Sequence, residues 1–166
     1  MEFSEQRILG IDPGTLHMGF GLIETTQGNP RLINQGVLQA DRKADLQFRL
    51  YELFEMLRDW CQKWQPSVIA VEAPFVGVNV QSALAIARAE TLVLLIAASR
   101  GISVARYAPS QIKQVVTGYG MAAKEQVRFM IAAILDAPET IELDASDALG
   151  VAICHAYSSR IDQFIK

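Results

Sequence analysis

Arg7-Ile8-Leu9-Gly10-Ile11-Asp12-Pro13-Gly14-Thr15 is the stretch whose reading decides the fold. The apolar run reads as a short strand, Pro13-Gly14 as the turn that ends it, and Asp12 falls at the strand's carboxyl end. Working outward, Gly19-Phe20-Gly21-Leu22-Ile23 reads as a second strand. After Asn29-Pro30, Leu32, Ile33, Val37 and Leu38 predict a third, completing a meander. Leu46, Leu50, Leu53, Phe54, Leu57 and Trp60 recur at three- and four-residue spacing, the stripe of an amphipathic helix that Pro66 ends. Ser67-Val68-Ile69-Ala70-Val71-Glu72 is a continuous apolar strand of the kind buried on both faces. A second helix follows from about Val80 to Ser99, then a fifth strand at Ile102-Ser103-Val104-Ala105. Three further helices begin near Pro109, Ala123 and Asp144. This order predicts an α/β fold, a mixed five-stranded sheet flanked by helices, in a single domain over residues 1–166.

Half of the 166 residues are hydrophobic and a fifth are charged, the balance of a globular protein with its own core. The polar, acidic N-terminus has no signal-peptide order. The longest nearly apolar run, Ala83 to Ser99, is interrupted by Arg88 and Glu90 and is too short and too charged for a membrane span. Cys61 and Cys154 have no metal-binding spacing and are expected as reduced, half-buried side chains of a cytoplasmic protein. The net charge of −3 argues at first against a nucleic-acid partner. Its distribution argues otherwise: from Val76 to Leu135 six basic residues face only Glu90 and Glu125.

Asp12 and Glu72 end two different strands, and ligands in α/β sheets gather beyond strand carboxyl ends. Asp144 and Asp147, spaced i,i+3, share one face of a helix. Four carboxylates meeting in one place repel unless cations lie between them, and an oxygen-only ligand set suits Mg²⁺ or Mn²⁺ rather than zinc. Each acid also has a structural reading. An Asp before Pro-Gly forms turns, and Asp144 could cap a helix. Glu72 is the hardest to explain structurally, because it follows Val-Ile-Ala-Val and would otherwise face an apolar interior.

The blocks Gly10-Ile11-Asp12-Pro13-Gly14-Thr15, Ile69-Ala70-Val71-Glu72, Gln111-Ile112-Lys113-Gln114-Val115-Val116, Gly118-Tyr119-Gly120 through Ala123-Lys124-Glu125-Gln126-Val127, and Asp144-Ala145-Ser146-Asp147-Ala148-Leu149 resemble, in this order, the RuvC family of bacterial Holliday-junction resolvases. The similarity runs from about Arg7 to Tyr157. It implies an RNase H-like fold acting as a homodimer, with one active site for each of two opposed strands. It assigns metal ligation to Asp12, Glu72, Asp144 and Asp147, with two Mg²⁺ per site (Mn²⁺ a plausible substitute) flanking the scissile phosphate. It also implies nicks with 5′ phosphate and 3′ hydroxyl ends, in recombination and repair, alongside the RuvA–RuvB branch-migration machinery. Some relatives carry His at the first helical carboxylate; here it is Asp144, and the site remains all-oxygen.

By the same resemblance Lys113 and Lys124 lie beside the cleaved strand, with Lys124 also in a catalytic role. A solvated lysine on a helix face is the plain alternative for each. Phe75, three residues past Glu72, matches a family Phe that stacks on an unpaired base at the junction centre, or else closes over the core. Asn79 matches a polar position near that loop, and Arg88 is placed for a phosphate contact, as Arg106 and Arg128 could also be. His17 and His155 read as structural, and Trp60 and Trp64 as core.

The helix from Val80 to Ser99 is rich in small residues, which suits close packing at a dimer interface or burial under the sheet. Glu90 stands where a basic residue is common in the family, which puts the interface in question. Two rivals share the Asp block. One is an RNA-directed nuclease of the YqgF type, which lacks the two lysine blocks together. The other is an actin-like ATPase, which needs two such domains.

Overall fold

The structure, a computed structural model, describes residues 5–73, 79–138 and 141–165. Its element order is β1 (Gln6–Asp12), β2 (His17–Thr26), β3 (Asn29–Gln39), α1 (Leu46–Trp64), β4 (Val68–Glu72), α2 (Val80–Arg100), β5 (Ser103–Tyr107), α3 (Pro109–Thr117), α4 (Lys124–Leu135) and α5 (Leu143–Ile165). The strands form one sheet in the order β3-β2-β1-β4-β5. β1, β2 and β3 pair antiparallel as a meander, whereas β4 and β5 join parallel to β1, so the sheet is mixed as expected.

The third strand begins earlier than its apolar residues suggest. The hairpin turn is Gln27-Gly28, both with positive φ (53° and 81°), the geometry that matches strand twist in a two-residue loop. Asn29 and Pro30 are already paired with Thr26 and Thr25. Pro30 is tolerated because β3 is an edge strand, where a missing N–H breaks no second ladder. The fifth strand, conversely, starts one residue later than expected and extends to Tyr107.

β1 and β4 occupy the middle of the sheet and are covered on both faces, which is why their sequences are unbroken apolar runs. Leu9, Ile11, Ile69 and Val71 face α1 and α2, meeting Leu53, Leu57, Val93 and Ile96. Ile8, Val68 and Ala70 face α3, α4 and α5, meeting Ile112, Ile131, Leu149 and Ala152. Cys61 and Cys154 are fully buried rather than half-buried, and they lie in cores on opposite sides of the sheet, so they cannot pair.

α5 lies unusually close to the strands it covers. A Cβ on Gly10 would stand 1.9 Å from the Ala148 carbonyl oxygen, and one on Gly19 2.0 Å from that of Asp144. These are backbone atoms of a helix and cannot turn aside, so only glycine allows the approach. Gly10→Ala is therefore expected to destabilise the protein by about 1–3 kcal/mol in urea unfolding. Gly36→Ala should be milder, because its Cβ would meet only the Phe20 ring, at 3.0 Å.

Candidate active site

The four acids singled out in the sequence are brought to one place by three elements. Register pairs Ile11 with Val71, so Asp12 and Glu72 leave the carboxyl ends of adjacent parallel strands side by side. Counting in twos from Ile8 and Val68 puts both side chains on the α5 face. Asp12 is also the register partner of Gly19, the residue on which the Asp144 backbone rests. Asp144 and Asp147, in the first two turns of α5, are thereby held over the ends of β1 and β4. Asp144 is already inside the helix, and the Glu142 carbonyl accepts the Ser146 N–H at 2.8 Å.

The electrostatics follow from that gathering. Asp12 is pushed up to about 7, first by burial and then by the charges of Asp147, Glu72 and Asp144. Glu72 is raised by burial and by Asp147, and Asp147 by burial and by Asp144. Lys124 opposes the rise at Asp12, Glu72 and Asp147, Lys113 opposes it at Glu72, and Arg128 at Asp147. A cleft of about 190 Å³ lies beside the acids, lined by Glu72, Lys113, Lys124 and Asp147 with apolar walls at Ile112, Val127 and Ile131. No three Asp, Glu, His or Cys side chains among the described residues are drawn tightly enough to enclose an ion. The donor set nevertheless fits a hard divalent cation: all oxygens, mutually repelling and partly buried.

The remaining sequence candidates divide. Asn79 caps α2, its Oδ1 accepting the Gln81 N–H at 2.9 Å, a structural use that the family match did not suggest. Arg88 is exposed on α2 and enters none of the carboxylate shifts. Phe75 lies outside the described residues. Arg106 is paired at 2.6 Å with Glu90, so Glu90 turns inward and is buried rather than facing outward from α2. Arg128 donates to the Ile141 carbonyl at 3.0 Å, which braces the approach to α5. His17 opens β2, exposed. Trp60 packs on Phe20 with ring centroids 4.0 Å apart, as a core role requires. His155 meets the Tyr107 hydroxyl through Nδ1 at 2.8 Å, and its burial keeps the imidazole pKa low.

The residues that sequence reasoning passed over are Gly10 and Gly19. A glycine inside a strand pattern signals a close backbone approach, and that signal was available.

A mixed sheet in this order, with acids at the ends of its central parallel strands and on the last helix, defines the RNase H-like class. The sequence profile described as crossover junction endodeoxyribonuclease RuvC matches residues 8–155, and the chain belongs to the RuvC family. It is 38% identical to the crossover junction endodeoxyribonuclease RuvC of Syntrophomonas wolfei, covering 96% of this chain and 94% of that one. It is 43% identical to that of Desulforamulus reducens, covering 90% and 92%. The Thermus thermophilus RuvC solved in complex with a Holliday junction substrate superposes with a TM-score of 0.88 at 29% identity, over 95% of this chain and 96% of that chain. These matches do not favour an RNA-directed nuclease of the YqgF type.

The raised Asp12 pKa has a definite sign for stability. Between about pH 4 and 7 the folded protein holds a proton that the unfolded chain releases, so stability falls as pH rises through that window. Without divalent metal, Asp12→Asn should be more stable than the parent at pH 8, on the order of 2–4 kcal/mol. The gap should shrink by pH 5. Thermal unfolding at the two pH values checks this, and equal stabilities at both would mean that neither burial nor the neighbouring acids disfavour the Asp12 charge.

Proposed function

We propose that this chain is a metal-dependent DNA endonuclease that resolves four-way (Holliday) junctions by paired symmetric nicks, leaving 5′ phosphate and 3′ hydroxyl ends. The observation that carries the reading is the gathering of Asp12, Glu72, Asp144 and Asp147 beside a cleft that Glu72, Asp147, Lys113 and Lys124 line, in a chain of the RuvC family. One relative was solved with the junction itself. Asp12, Glu72, Asp144 and Asp147 would hold Mg²⁺, two ions per site, with Mn²⁺ able to replace it. When bound, the metal supplies Lewis acidity and an activated water at neutral pH. The protein's own residues supply the rest. The carboxylates would hold the ions at the ends of β1 and β4 and on α5, and partial burial of the site strengthens the electrostatic interactions within it. Lys124, facing three of the acids, is placed to balance charge building on the phosphate. Lys113 lines the same cleft and positions the strand. Phe75 and Arg88 enter by family match alone.

Two opposed strands need two sites, and α2 supports a homodimer. It is long and apolar enough to cross a membrane, yet only part of it faces the core. Val80 (72% exposed), Leu84, Ala87, Thr91, Leu95 (56% exposed) and Ala98 form one outward stripe at three- and four-residue spacing. Burial under the sheet accounts for Ala89 and Ala97 but leaves this stripe uncovered, and a second copy laid along it would cover it. With Glu90 turned inward, the face carries no buried acid. A cytoplasmic location fits two reduced, buried cysteines, and work beside RuvA–RuvB follows the family. One sheet carries Asp12 and Glu72 and packs against the helix that carries Asp144 and Asp147, which supports reading residues 1–166 as one nuclease domain.

A synthetic four-way junction offered with Mg²⁺ should receive paired nicks that ligase reseals, while linear duplex and an RNA–DNA hybrid stay intact. EDTA and Asp12→Asn should each remove the activity, and Lys124→Ala should lower the cleavage rate about a hundredfold. Cutting of the hybrid with the junction spared would overturn the reading.

A further inference from the structure

β5 ends beside the active site and is pinned there from both faces. On the α2 side Arg106 is tied to Glu90 at 2.6 Å. On the α5 side the next residue, Tyr107, reaches His155 through its hydroxyl at 2.8 Å, with the rings edge-on at a centroid separation of 5.9 Å. Tyr107 is the register partner of Glu72, so the two side chains leave adjacent strands on the same face. Its carbonyl also accepts the Ala73 N–H at 2.8 Å, fixing the backbone immediately after Glu72. His155 lies two helical turns past Asp147 on α5. The hydrogen bond therefore joins the strand flanking one acid to the helix that carries two others.

We propose that Tyr107 and His155 form a positioning pair that fixes Glu72 relative to Asp147 and so sets the affinity of the carboxylate site for divalent metal. This rests on the functional reading above in taking Glu72 and Asp147 as metal ligands. Neither residue touches the cleft that Lys113 and Lys124 line. They act through the strand end and the helix. Burial disfavours the imidazolium, so the unprotonated Nδ1 can accept a hydrogen bond from the phenol O–H, and the bond needs no charge to persist. Glu72 is the last residue of its strand, and Tyr107 is its neighbour in register. A small displacement of one ligand lowers the affinity of a carboxylate site strongly, because the other acids then repel without a shared cation.

Tyr107→Phe keeps the ring packing and removes only the hydroxyl, and His155→Phe removes its partner. Mn²⁺ binding to the DNA-free dimer or monomer is read by calorimetry, next to single-turnover junction cleavage with Mg²⁺ and junction binding without divalent metal. Tyr107→Phe should weaken Mn²⁺ binding and slow cleavage roughly tenfold, while metal-free junction affinity stays at the parent value. The double variant should be no worse than either single one, because one bond carries both effects. Mn²⁺ affinity and cleavage within about twofold of the parent would overturn the proposal, as would losses that multiply in the double variant. A parent that binds Mn²⁺ but leaves the junction whole would instead sink the functional reading, with the positioning role still decided by the Mn²⁺ titration.

Discussion

The contact on which the rest of this structure depends is the approach of α5 to the backbones of β1 and β2. Helices ordinarily stand off a sheet by the length of the side chains between them. Here Gly10 and Gly19 remove those side chains at two points, and the carbonyls of Ala148 and Asp144 fill the space. The consequence is chemical as well as steric. Asp144 and Asp147 ride on the first turns of α5, and a helix held one side chain farther out would lift both away from Asp12 and Glu72. Packing and active-site geometry are thus set by the same two positions.

That geometry opposes folding. Asp12 is raised to about 7 because burial and three neighbouring carboxylates disfavour its charge, and Glu72 and Asp147 are raised for the same reasons. Lys124 offsets part of the repulsion at all three. The remainder is offset elsewhere, by two apolar cores that bury β1 and β4 on both faces. An acidic cluster of this kind is costly as bare protein. A divalent cation held by these acids would relieve the repulsion that the metal-free site carries and so stabilise the folded state.

The β4–β5 edge connects this site to the outside of the molecule. Arg106 ties β5 to Glu90 on α2, whose opposite face is apolar and exposed, and Tyr107 ties the same strand end to α5. The helix offered for dimer contact is therefore one ion pair away from the strand end beside Glu72. The substitution that made the interface look doubtful in the sequence turns out to serve this connection, since Glu90 points inward.

Much of this was legible without coordinates. The apolar runs ending in Asp12 and Glu72, the helical stripe from Leu46, and the i,i+3 pair at Asp144 and Asp147 each carry their own local signal, because strand alternation, helix period and a charged residue at an apolar run's end are properties of neighbours in sequence. The family blocks added the order in which they occur. The start of β3 at Asn29 was not legible, because a proline acceptable on an edge strand looks like a turn until the edge is known. Nor was the inward turn of Glu90, which only the partner Arg106, sixteen residues away on another element, determines. The sequence alone determined which residues could do the chemistry. Only the tertiary structure decided that Asp12, Glu72, Asp144 and Asp147 come within electrostatic reach of one another and of Lys124, because parallel register and the glycine-permitted depth of α5 are relations between distant segments.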